Sequence, residues 1–318
     1  MVMGTSHPPA VHEMAKHISY CLKAHRTRFS TGTRCAPLFI GVQGPQGSGK
    51  TFLTSRLRSL LSESPYFLSV AVLSIDDLYL PHTGLTTLAE AHPQNKLLRG
   101  RGQPGTHDIE LGSMILEKLK WINGSEGGPF EVELPAFDKS LFNGEGDRVA
   151  PGEVVRAPVD VVVLEGWCVG FYPISKQVME ERWKQSVEGL DDFRMRTFVS
   201  LEDIIAVNDR LKSYMKWWDA LDAFIQIKGP SASPYAIIYQ WRLQQEHNMK
   251  AKNGGKGMTD EEVKTFVDRY IPGYVFFGDG VRKGTQDEQG QGQLPPWHSK
   301  GLVVTIDLER KLLGTSHF

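Results

Sequence analysis

Cysteine is scarce in this sequence, with only three in 318 residues. Cys21, Cys35 and Cys168 are scattered and form no C-x-x-C pair. An odd set of this kind argues against a disulfide scaffold and against a zinc site. We therefore expect a protein of a reducing compartment.

Long hydrophobic runs and an excess of charge of one sign are also missing. The apolar runs have the length of strands, and residues 1–9 lack a basic start followed by an apolar segment, so neither membrane spanning nor secretion is predicted. We therefore expect a cytoplasmic protein, and a nuclear location is the alternative. The formal net charge is −1, and no basic run interleaved with aromatic residues indicates a nucleic-acid surface. The expected partner is a small molecule, and the oligomeric state stays open.

The most informative segment is a complete phosphate-binding loop between an apolar run at 38–42 and a helix-compatible stretch at 51–61. Its glycines let consecutive N–H groups face the phosphates of a nucleotide at the positive start of a helix. Its lysine supplies charge to the phosphate oxygens, and its threonine hydroxyl can bind Mg²⁺. ATP and Mg²⁺ are therefore the predicted cofactors, since the flanking strand and helix argue against a mere surface turn. The predicted nucleotide-binding residues are Gly44, Pro45, Gln46, Gly47, Ser48, Gly49, Lys50 and Thr51.

Strand and helix patterns alternate along the chain. Most strand candidates are unbroken β-branched runs, as strands that are buried on both faces require. The alternation predicts an α/β fold, a P-loop NTPase with a mostly parallel sheet flanked by helices and with a helical lid. The predicted strands are 38–42, 69–75, 159–164, 197–199, 223–227 and 302–306. The predicted helices are 14–29, 51–61, 109–122, 201–218 and 234–252.

A single domain is expected over residues 1–318. The hydrophobic content of 40% suffices for a substantial core. Within the domain we expect an N-terminal helical extension at 1–35, a lid or helical region at 234–272 and a flexible loop at 284–301, which is rich in Gln, Gly and Pro. Ligands of parallel sheets bind at the carboxyl ends of strands, so the turns after residues 42, 75 and 164 should meet at one cleft.

Acidic residues follow two of these strands. Asp76 and Asp77 are adjacent, and because side chains alternate in extended backbone, one of them is expected to face the cleft. A carboxylate there could take the proton of an attacking hydroxyl or hold Mg²⁺ through water. An Asp that caps the next turn is the alternative. Glu165 ends a buried apolar run, like a Walker-B acid, and is predicted to orient Mg²⁺ or its water.

Two charged loops, residues 97–108 and residues 135–148, offer contacts for an anionic substrate. The arginines of the first loop lie between glycines, and each can form a bidentate pair with a carboxylate or phosphate. Simple solvation and pairing with nearby acids are the alternatives. Asp108, at the end of the first loop, fits an N-cap of the helix after it better than a catalytic role. The tentative substrate contacts are Asp77, Arg99, Arg101, His107, Lys139 and Arg148.

The predicted helix at 234–252 carries Arg242 one turn before Glu246. An intrahelical salt bridge is one account of this pair. The other is a lid helix whose Arg242 closes on the transferring phosphoryl group and keeps water from accepting it.

The motifs together resemble the fungal and plant D-glycerate 3-kinase-like P-loop kinases, which include the yeast ATP-binding Tda-ten group. The resemblance runs from about residue 38 to the C-terminus and reaches, more remotely, the phosphoribulokinase, uridine kinase and pantothenate kinase superfamily. Residues 77–79 depart from the uridine kinase pattern, which argues against a nucleoside acceptor. Besides the phosphate loop, the resemblance rests on residues 74–79, 101–108, 164–167, 241–246, 257–260 and 266–270.

The resemblance implies that Asp76, or Asp77 in its place, is the base for the substrate hydroxyl and that residues 47–51 hold ATP and Mg²⁺. The predicted enzyme is a phosphotransferase that phosphorylates a hydroxyl of D-glycerate or of a similar hydroxy acid. Its predicted catalytic residues are Asp76, Lys50 and Arg242. A kinase for pantothenate or a nucleoside is one alternative. An ATP-binding regulatory or assembly protein with weak ATPase activity is another, since the missing Asn-Lys-x-Asp signature argues only against a GTPase switch.

Overall fold

The computed structural model describes residues 7–29, 35–124, 130–150, 152–232, 234–285 and 292–318. Its strands are β1 Leu38–Gln43, β2 Val70–Ser74, β3 Glu131–Glu133, β4 Ala136–Asp138, β5 Asp147–Val149, β6 Val154–Arg156, β7 Val161–Gly166, β8 Ala223–Lys228, β9 Gly301–Ile306 and β10 Leu312–His317. Its helices are α1 Pro9–Arg26, α2 Lys50–Ser62, α3 His82–Ala91, α4 Ile109–Lys120, α5 Lys176–Lys184, α6 Met195–Phe198, α7 Leu201–Leu211, α8 Met215–Trp218, α9 Ala236–Lys252, α10 Asp260–Asp268, α11 Ile271–Phe277 and α12 Gly280–Lys283.

A six-stranded sheet in the order β10-β9-β8-β1-β7-β2 forms the centre of the fold. All of its neighbouring pairs are parallel except β9 with β10, which is an antiparallel edge. Every residue of β1 and of β7 is buried, as expected for strands that helices cover on both faces. The predicted α/β fold with a mostly parallel sheet is confirmed.

The register of the sheet brings three strand ends together. Val42 of β1 and Ser74 of β2 both pair with Glu165 of β7. The turns that leave β1, β7 and β2 therefore start side by side at one edge of the sheet. The chain after β1 is the phosphate-binding loop, and the chain after β2 is a short 3-10 turn, Ile75–Leu78.

Several element boundaries differ from the sequence-based expectation. The strand expected at 197–199 is wrong, because Met195–Phe198 is a helical turn and Ser200 starts α7 with a capping box to Asp203. Three residues with strand propensity form no strand when helices flank them on both sides and no partner strand lies beside them. The helix expected at 201–218 is divided by a 3-10 turn, Lys212–Tyr214.

The periodicity analysis also missed two small antiparallel pairs and the edge strand β10. The pairs are β3 with β6 and β4 with β5, and each strand has only three residues. Strands this short carry too few residues for an alternating pattern to be recognised. The pair formed by β4 and β5 lies next to the sheet edge at which β1, β7 and β2 end, because β4 contacts the 3-10 turn after β2.

Helices lie in the ranges 1–35 and 234–272, where the sequence predicts an N-terminal extension and a lid. Helix α1 packs against α2 and β9, and α9 and α10 fall within the expected lid region at 234–272. Of the loop expected at 284–301, residues 286–291 lie outside the described residues. In the described part of the chain, no helix combines the length and the apolarity needed to cross a membrane.

Gly41 lets β1 approach a buried aromatic ring, and this approach makes a testable prediction. A Cβ at Gly41 would lie 2.5 Å from Cε2 of Phe224, which is fully buried and stacks on Trp297 with 4.6 Å between ring centroids. Gly41→Ala should therefore lower the free energy of unfolding by about 1–3 kcal/mol, as overpacking does. Gly314→Ala is the control, since nothing lies within 4 Å of its Cβ. Equal denaturant midpoints for the two variants would contradict this packing account.

Candidate active site

The phosphate-binding loop joins β1 to α2 and depends on two glycines with left-handed backbone. Gly47 has φ 74° and Gly49 has φ 84°, values that residues other than glycine rarely adopt. Gly47 also meets another element closely, because a Cβ there would lie 2.5 Å from the backbone carbon of Trp241 in α9. The loop is therefore fixed both by its own conformation and by the backbone of α9.

Hydrogen bonds within the loop converge on one carbonyl. The hydroxyl of Ser48 donates to Pro45 O at 2.7 Å, and the Ser48 N–H donates to the same oxygen at 3.2 Å. The Lys50 ammonium reaches this oxygen at 3.5 Å. Lys50 thus lies across the loop, where it would meet phosphate oxygens. The hydroxyl of Tyr274 in α11 donates to Gln46 Oε1 at 2.5 Å and so closes the outer side of the loop.

Two predicted metal ligands lie next to each other. The Thr51 hydroxyl, at the start of α2, donates to Glu165 Oε1 of β7 at 3.3 Å. Glu165 is only 3% exposed, and in the described part of the chain this hydroxyl is its one side-chain hydrogen-bond partner. A buried carboxylate without a cationic partner is unfavourable unless a charge balances it. Hydroxyl and carboxylate oxygens suit Mg²⁺, so these residues fit the predicted ion.

The two adjacent aspartates point in different directions. Asp76 Oδ2 accepts from the Lys139 ammonium at 2.5 Å, and its Oδ1 accepts from the Tyr79 hydroxyl at 3.0 Å. Asp77 Oδ1 accepts from the backbone N–H of Phe137 in β4 at 3.1 Å. Asp76 therefore faces the cleft with a lysine, whereas Asp77 fastens the pair of strands β4 and β5 to the turn after β2.

The environments of these aspartates shift their pKa values in opposite directions. Burial would raise the pKa of Asp76, but the charge and the hydrogen bond of Lys139, helped by the charge of Lys50, outweigh burial and lower the pKa to about 2. Burial raises the pKa of Asp77 to about 6, and the neighbouring Asp76 charge adds to this rise. At neutral pH Asp76 is therefore a firmly ionised carboxylate.

The hairpin formed by β4 and β5 is held by arginines that the sequence suggested as substrate contacts. Arg148 Nη2 donates to Tyr79 O at 2.8 Å and to Asp108 Oδ2 at 3.1 Å. Arg101 Nη1 donates to Gly144 O at 2.5 Å and also to the carbonyl of Glu145. These two arginines therefore position the hairpin that carries Lys139.

Arg99 and Asp108, which the sequence analysis also considered, make contacts away from the aspartate pair. Arg99 donates to Pro93 O at 2.8 Å on an exposed part of its loop, and no described contact joins it to the aspartates. Asp108 accepts from Leu111 N at 3.0 Å and so is the N-cap of α4, as the sequence predicted. Its other carboxylate oxygen is the one that meets Arg148.

His107 packs against Tyr79, the tyrosine that donates to Asp76. Its ring stacks on Tyr79, with ring centroids 4.4 Å apart, and its Nδ1 lies 2.7 Å from the Tyr214 hydroxyl. Burial lowers the pKa of His107 to about 3, so its imidazole is neutral at physiological pH. Because Tyr79 in turn donates to Asp76, His107 supports the orientation of that carboxylate.

An aromatic wall that the sequence analysis missed closes the site. The Trp167 ring, two residues after Glu165, stands edge-on to Tyr270 and to Tyr274, at centroid distances of 4.9 and 5.3 Å. A Cβ at Gly102 would lie 2.7 Å from the Tyr270 hydroxyl, so the arginine-bearing loop packs on this wall. Trp167 and Tyr270 lie in the segments 164–167 and 266–270, which carry the resemblance but have no predicted role in the site, whereas Tyr274 has no local signal.

Arg242 forms the intrahelical salt bridge that was one of the two accounts suggested by the sequence. Its Nη1 lies 2.7 Å from Glu246 Oε2, and its guanidinium lies 5.1 Å from the centroid of the Phe266 ring. The backbone N of Arg242 also lies 2.6 Å from where a Cβ of Gly47 would be. The intrahelical salt bridge therefore describes this conformation, while the backbone of the same residue touches the phosphate-binding loop. Its role in phosphoryl transfer stays a prediction.

A phosphate-binding loop beside a buried strand-end acid and an ionised aspartate, all on one edge of a parallel sheet, is the arrangement of a P-loop small-molecule kinase. No family model matches the chain. The probable ATP-dependent kinase TDA10 of Saccharomyces cerevisiae is 40% identical over 260 residues, which are 80% of this chain and 82% of that protein.

Two further relatives are named for one substrate. The solved structure of D-glycerate 3-kinase from Cryptococcus neoformans is 40% identical, has a TM-score of 0.85 and matches 97% of this chain and 99% of its own. The chloroplastic D-glycerate 3-kinase of Arabidopsis thaliana is 35% identical over 90% of this chain and 56% of that protein. This chain belongs to the family of ATP-dependent P-loop kinases that these proteins represent, and it is a phosphotransferase with a hydroxyl acceptor. The resemblance drawn from the motifs is confirmed.

The raised pKa of Asp77 predicts how stability depends on pH. Since the folded-state pKa of about 6 exceeds the ordinary value of 3.8, the stability that this shift contributes is full below about pH 4 and is lost as the pH rises through about 6. Asp77→Asn still offers an oxygen to Phe137 N but does not titrate. The variant should therefore gain on the order of 1 kcal/mol in unfolding free energy relative to wild type between pH 4 and pH 7.

Denaturant unfolding of both proteins at several pH values measures this difference. Asp191→Asn, which removes a charge from an exposed residue, is the control and should show no such trend. A stability difference between Asp77→Asn and wild type that is the same at pH 4 and pH 7 would contradict the assignment.

Proposed function

We propose that this kinase transfers the γ-phosphoryl group of ATP to a hydroxyl of D-glycerate or a similar small hydroxy acid, with Mg²⁺ as the metal. The observation that carries the proposal is the Asp76 carboxylate, held between Lys139 at 2.5 Å and the Tyr79 hydroxyl at 3.0 Å on the edge of the sheet that bears the phosphate-binding loop. D-glycerate is favoured because two relatives carry it in their names.

The donor half of the site consists of the phosphate-binding loop and its two neighbours. The loop N–H groups and the Lys50 ammonium would hold the β- and γ-phosphates. Thr51 and Glu165 would hold Mg²⁺, which supplies positive charge to the phosphate oxygens when it is bound. The aromatic wall of Trp167, Tyr270 and Tyr274 limits the access of water to the transferring group.

The acceptor half depends on the charge state of Asp76. Its pKa of about 2 makes it a weak base but keeps it ionised, so its first task is to accept a hydrogen bond from the substrate hydroxyl and aim that oxygen at the γ-phosphorus. This suits phosphoryl transfer, because a loose transition state requires little bond formation to the nucleophile and hence little early proton removal. The proton passes to Asp76 as the new P–O bond forms and the bond between the γ-phosphorus and the bridging oxygen breaks, which releases ADP.

A carboxylate on the substrate would meet two cations near the base. Lys139 is about half exposed, and the charges of Arg101 and Lys139 act on each other. A carboxylate placed between these cations would relieve their repulsion and could form a bidentate pair with the guanidinium. The same interaction favours a hydroxy acid over a neutral alcohol as acceptor.

Arg242 completes the proposal as the cation of the closing lid, residues 234–272. In the conformation described it pairs with Glu246. To support the transition state it would exchange that carboxylate for an oxygen of the transferring phosphoryl group.

An assay of ADP release tests the proposal. The purified protein is incubated with ATP and Mg²⁺, with and without D-glycerate, and phosphoglycerate is detected by mass spectrometry in the same samples. Strong stimulation by D-glycerate with phosphoglycerate formed is expected. Retained ATP binding without stimulation would contradict D-glycerate as acceptor. Pantothenate and a nucleoside should be assayed beside it, because stimulation by either would identify another acceptor, whereas stimulation by none would favour an ATP-binding regulatory protein.

Substitutions at the base and at the loop lysine should separate binding from transfer. Asp76→Asn keeps the shape of the side chain but loses the negative charge, so we expect ATP affinity to be retained while turnover falls by roughly 100- to 10,000-fold. Lys50→Ala should abolish productive use of ATP, since it removes the charge that faces the phosphates. ATP binding is measured by calorimetry and turnover by ADP release. Wild-type transfer rates in Asp76→Asn would refute the assigned base.

Lys139 should set the lower pH limit of activity. Burial alone would raise the pKa of Asp76, and Lys139 is the main group that opposes it. Lys139→Gln should therefore raise this pKa, and the acidic limb of the pH profile of kcat/KM should move to higher pH. Lys139→Arg, which keeps the charge, is the matched control and should move the limb less. An acidic limb unchanged in Lys139→Gln would show that Lys139 does not control the base.

A further inference from the structure

The turn between β9 and β10 carries an arginine that no sequence motif singled out. Arg310 has φ 61°, in the left-handed region that residues other than glycine occupy infrequently. Its guanidinium is partly buried and reaches the phosphate-binding loop, 263 residues earlier in the chain. A backbone conformation of this kind next to a ligand site suggests a functional constraint.

The guanidinium of Arg310 joins the loop to α9. Its Nε and Nη2 donate to Gly47 O at 3.1 and 2.9 Å, and Nη2 also donates to Trp241 O at 3.0 Å. Its Nη1 donates to Leu308 O at 3.1 Å and to the side-chain oxygen of Gln244. A planar fork of donors suits this set of carbonyls better than a single ammonium group would.

The contact with Gly47 fixes the orientation of a peptide group that lines the phosphate site. In a trans peptide the C=O of residue 47 and the N–H of residue 48 point in opposite directions. Because Arg310 holds the Gly47 carbonyl on one side of the loop, the Ser48 N–H must face the other side. There it points into the turn, 3.2 Å from Pro45 O and on the side where Lys50 lies. The Ser48 N–H thus closes the turn of the loop through Pro45 O, and the shape of this turn sets the direction of the other loop N–H groups that would face phosphate.

In the described part of the chain no acid forms an ion pair with Arg310, and only the charge of the neighbouring Glu309 acts on it. All four of its hydrogen-bond acceptors are neutral oxygens, and none of the ion pairs formed by the described residues includes it. A partly buried charge is screened less by salt than an exposed one. Its field therefore adds to the attraction of the loop for a polyphosphate.

We propose that Arg310 is a positioning residue for the nucleotide: it holds the phosphate-binding loop and α9 in the arrangement that binds the β- and γ-phosphates of ATP. Arg310 acts through the peptide group of residues 47 and 48 and through its own charge, without touching the reacting atoms. The inference rests on the nucleotide half of the proposed function and is independent of the acceptor.

Calorimetric titration of the full chain with ATP and Mg²⁺, with AMP as the comparison ligand, tests this proposal. Arg310→Gln should raise the Kd for ATP by roughly 10- to 100-fold, the range for loss of hydrogen bonds from a charged group. The Kd for AMP, which lacks the β- and γ-phosphates, should change much less. The KM for ATP in ADP release should rise similarly, with turnover at saturating ATP little changed. Lys311→Ala removes the same charge from the adjacent exposed residue and should leave ATP binding unchanged.

Two results would overturn the proposal. One is an ATP affinity of Arg310→Gln within about twofold of wild type, less than the loss of one such hydrogen bond. The other is an equal loss of affinity for ATP and AMP together with a lowered melting temperature, which would show a merely structural role. If Arg310→Gln does not fold, Arg310→Lys decides, because one ammonium nitrogen cannot take the separate positions of Nε, Nη1 and Nη2, which together reach Gly47 O, Trp241 O and the Gln244 side chain. Wild-type affinity for ATP in Arg310→Lys would then contradict the positioning role.

Discussion

The parallel pairing of β1, β7 and β2 is the constraint on which the whole site depends. Glu165 of β7 is the register partner both of Val42 and of Ser74. Adjacent strands lie only about 4.8 Å apart, so groups that are distant in the chain start from neighbouring positions at one edge. The Thr51 hydroxyl and the Glu165 carboxylate meet there. The order of strands in the sheet thus brings the phosphate-binding loop, the proposed metal ligands and the base candidate together.

A second principle of the site is that adjacent carboxylates have separate tasks because their surroundings differ. Asp76 lies beside a lysine and stays ionised, as the role proposed for it toward a substrate hydroxyl requires. Among the described residues, Asp77 accepts a side-chain hydrogen bond only from a backbone N–H, and burial raises its pKa. Its contact with Phe137 anchors the hairpin of β4 and β5, which in turn carries Lys139. Asp76 therefore depends on Asp77 for the position of its lysine partner.

The features that could be predicted from the sequence all have a local signal. The phosphate-binding loop has a fixed spacing of glycines and lysine, and Glu165 follows an apolar run that only a buried strand explains. Asp108 precedes a strongly helical segment and caps it, as expected. The strand expected at 197–199 was wrong because three residues are too short for a propensity to outweigh the helices on either side.

The remaining features arise from contacts between distant segments. Lys139 reaches Asp76 only because β4 and β5 form a hairpin over the cleft, and strands of three residues give no periodic pattern. Arg310 lies in a turn after the last parallel strand, where one arginine is not distinguishable from a solvated one. Tyr270 likewise enters the site only through the packing of α10 and α11. Such residues become visible when the sheet order and the helix contacts are known.

A crystal structure with Mg²⁺, a non-hydrolysable ATP analogue and D-glycerate would test the central claim most directly. The account predicts a D-glycerate hydroxyl within hydrogen-bond distance of the Asp76 carboxylate and facing the γ-phosphorus, with Mg²⁺ beside Thr51 and Glu165. D-glycerate bound with no hydroxyl near Asp76, or Mg²⁺ bound away from Thr51 and Glu165, would contradict it.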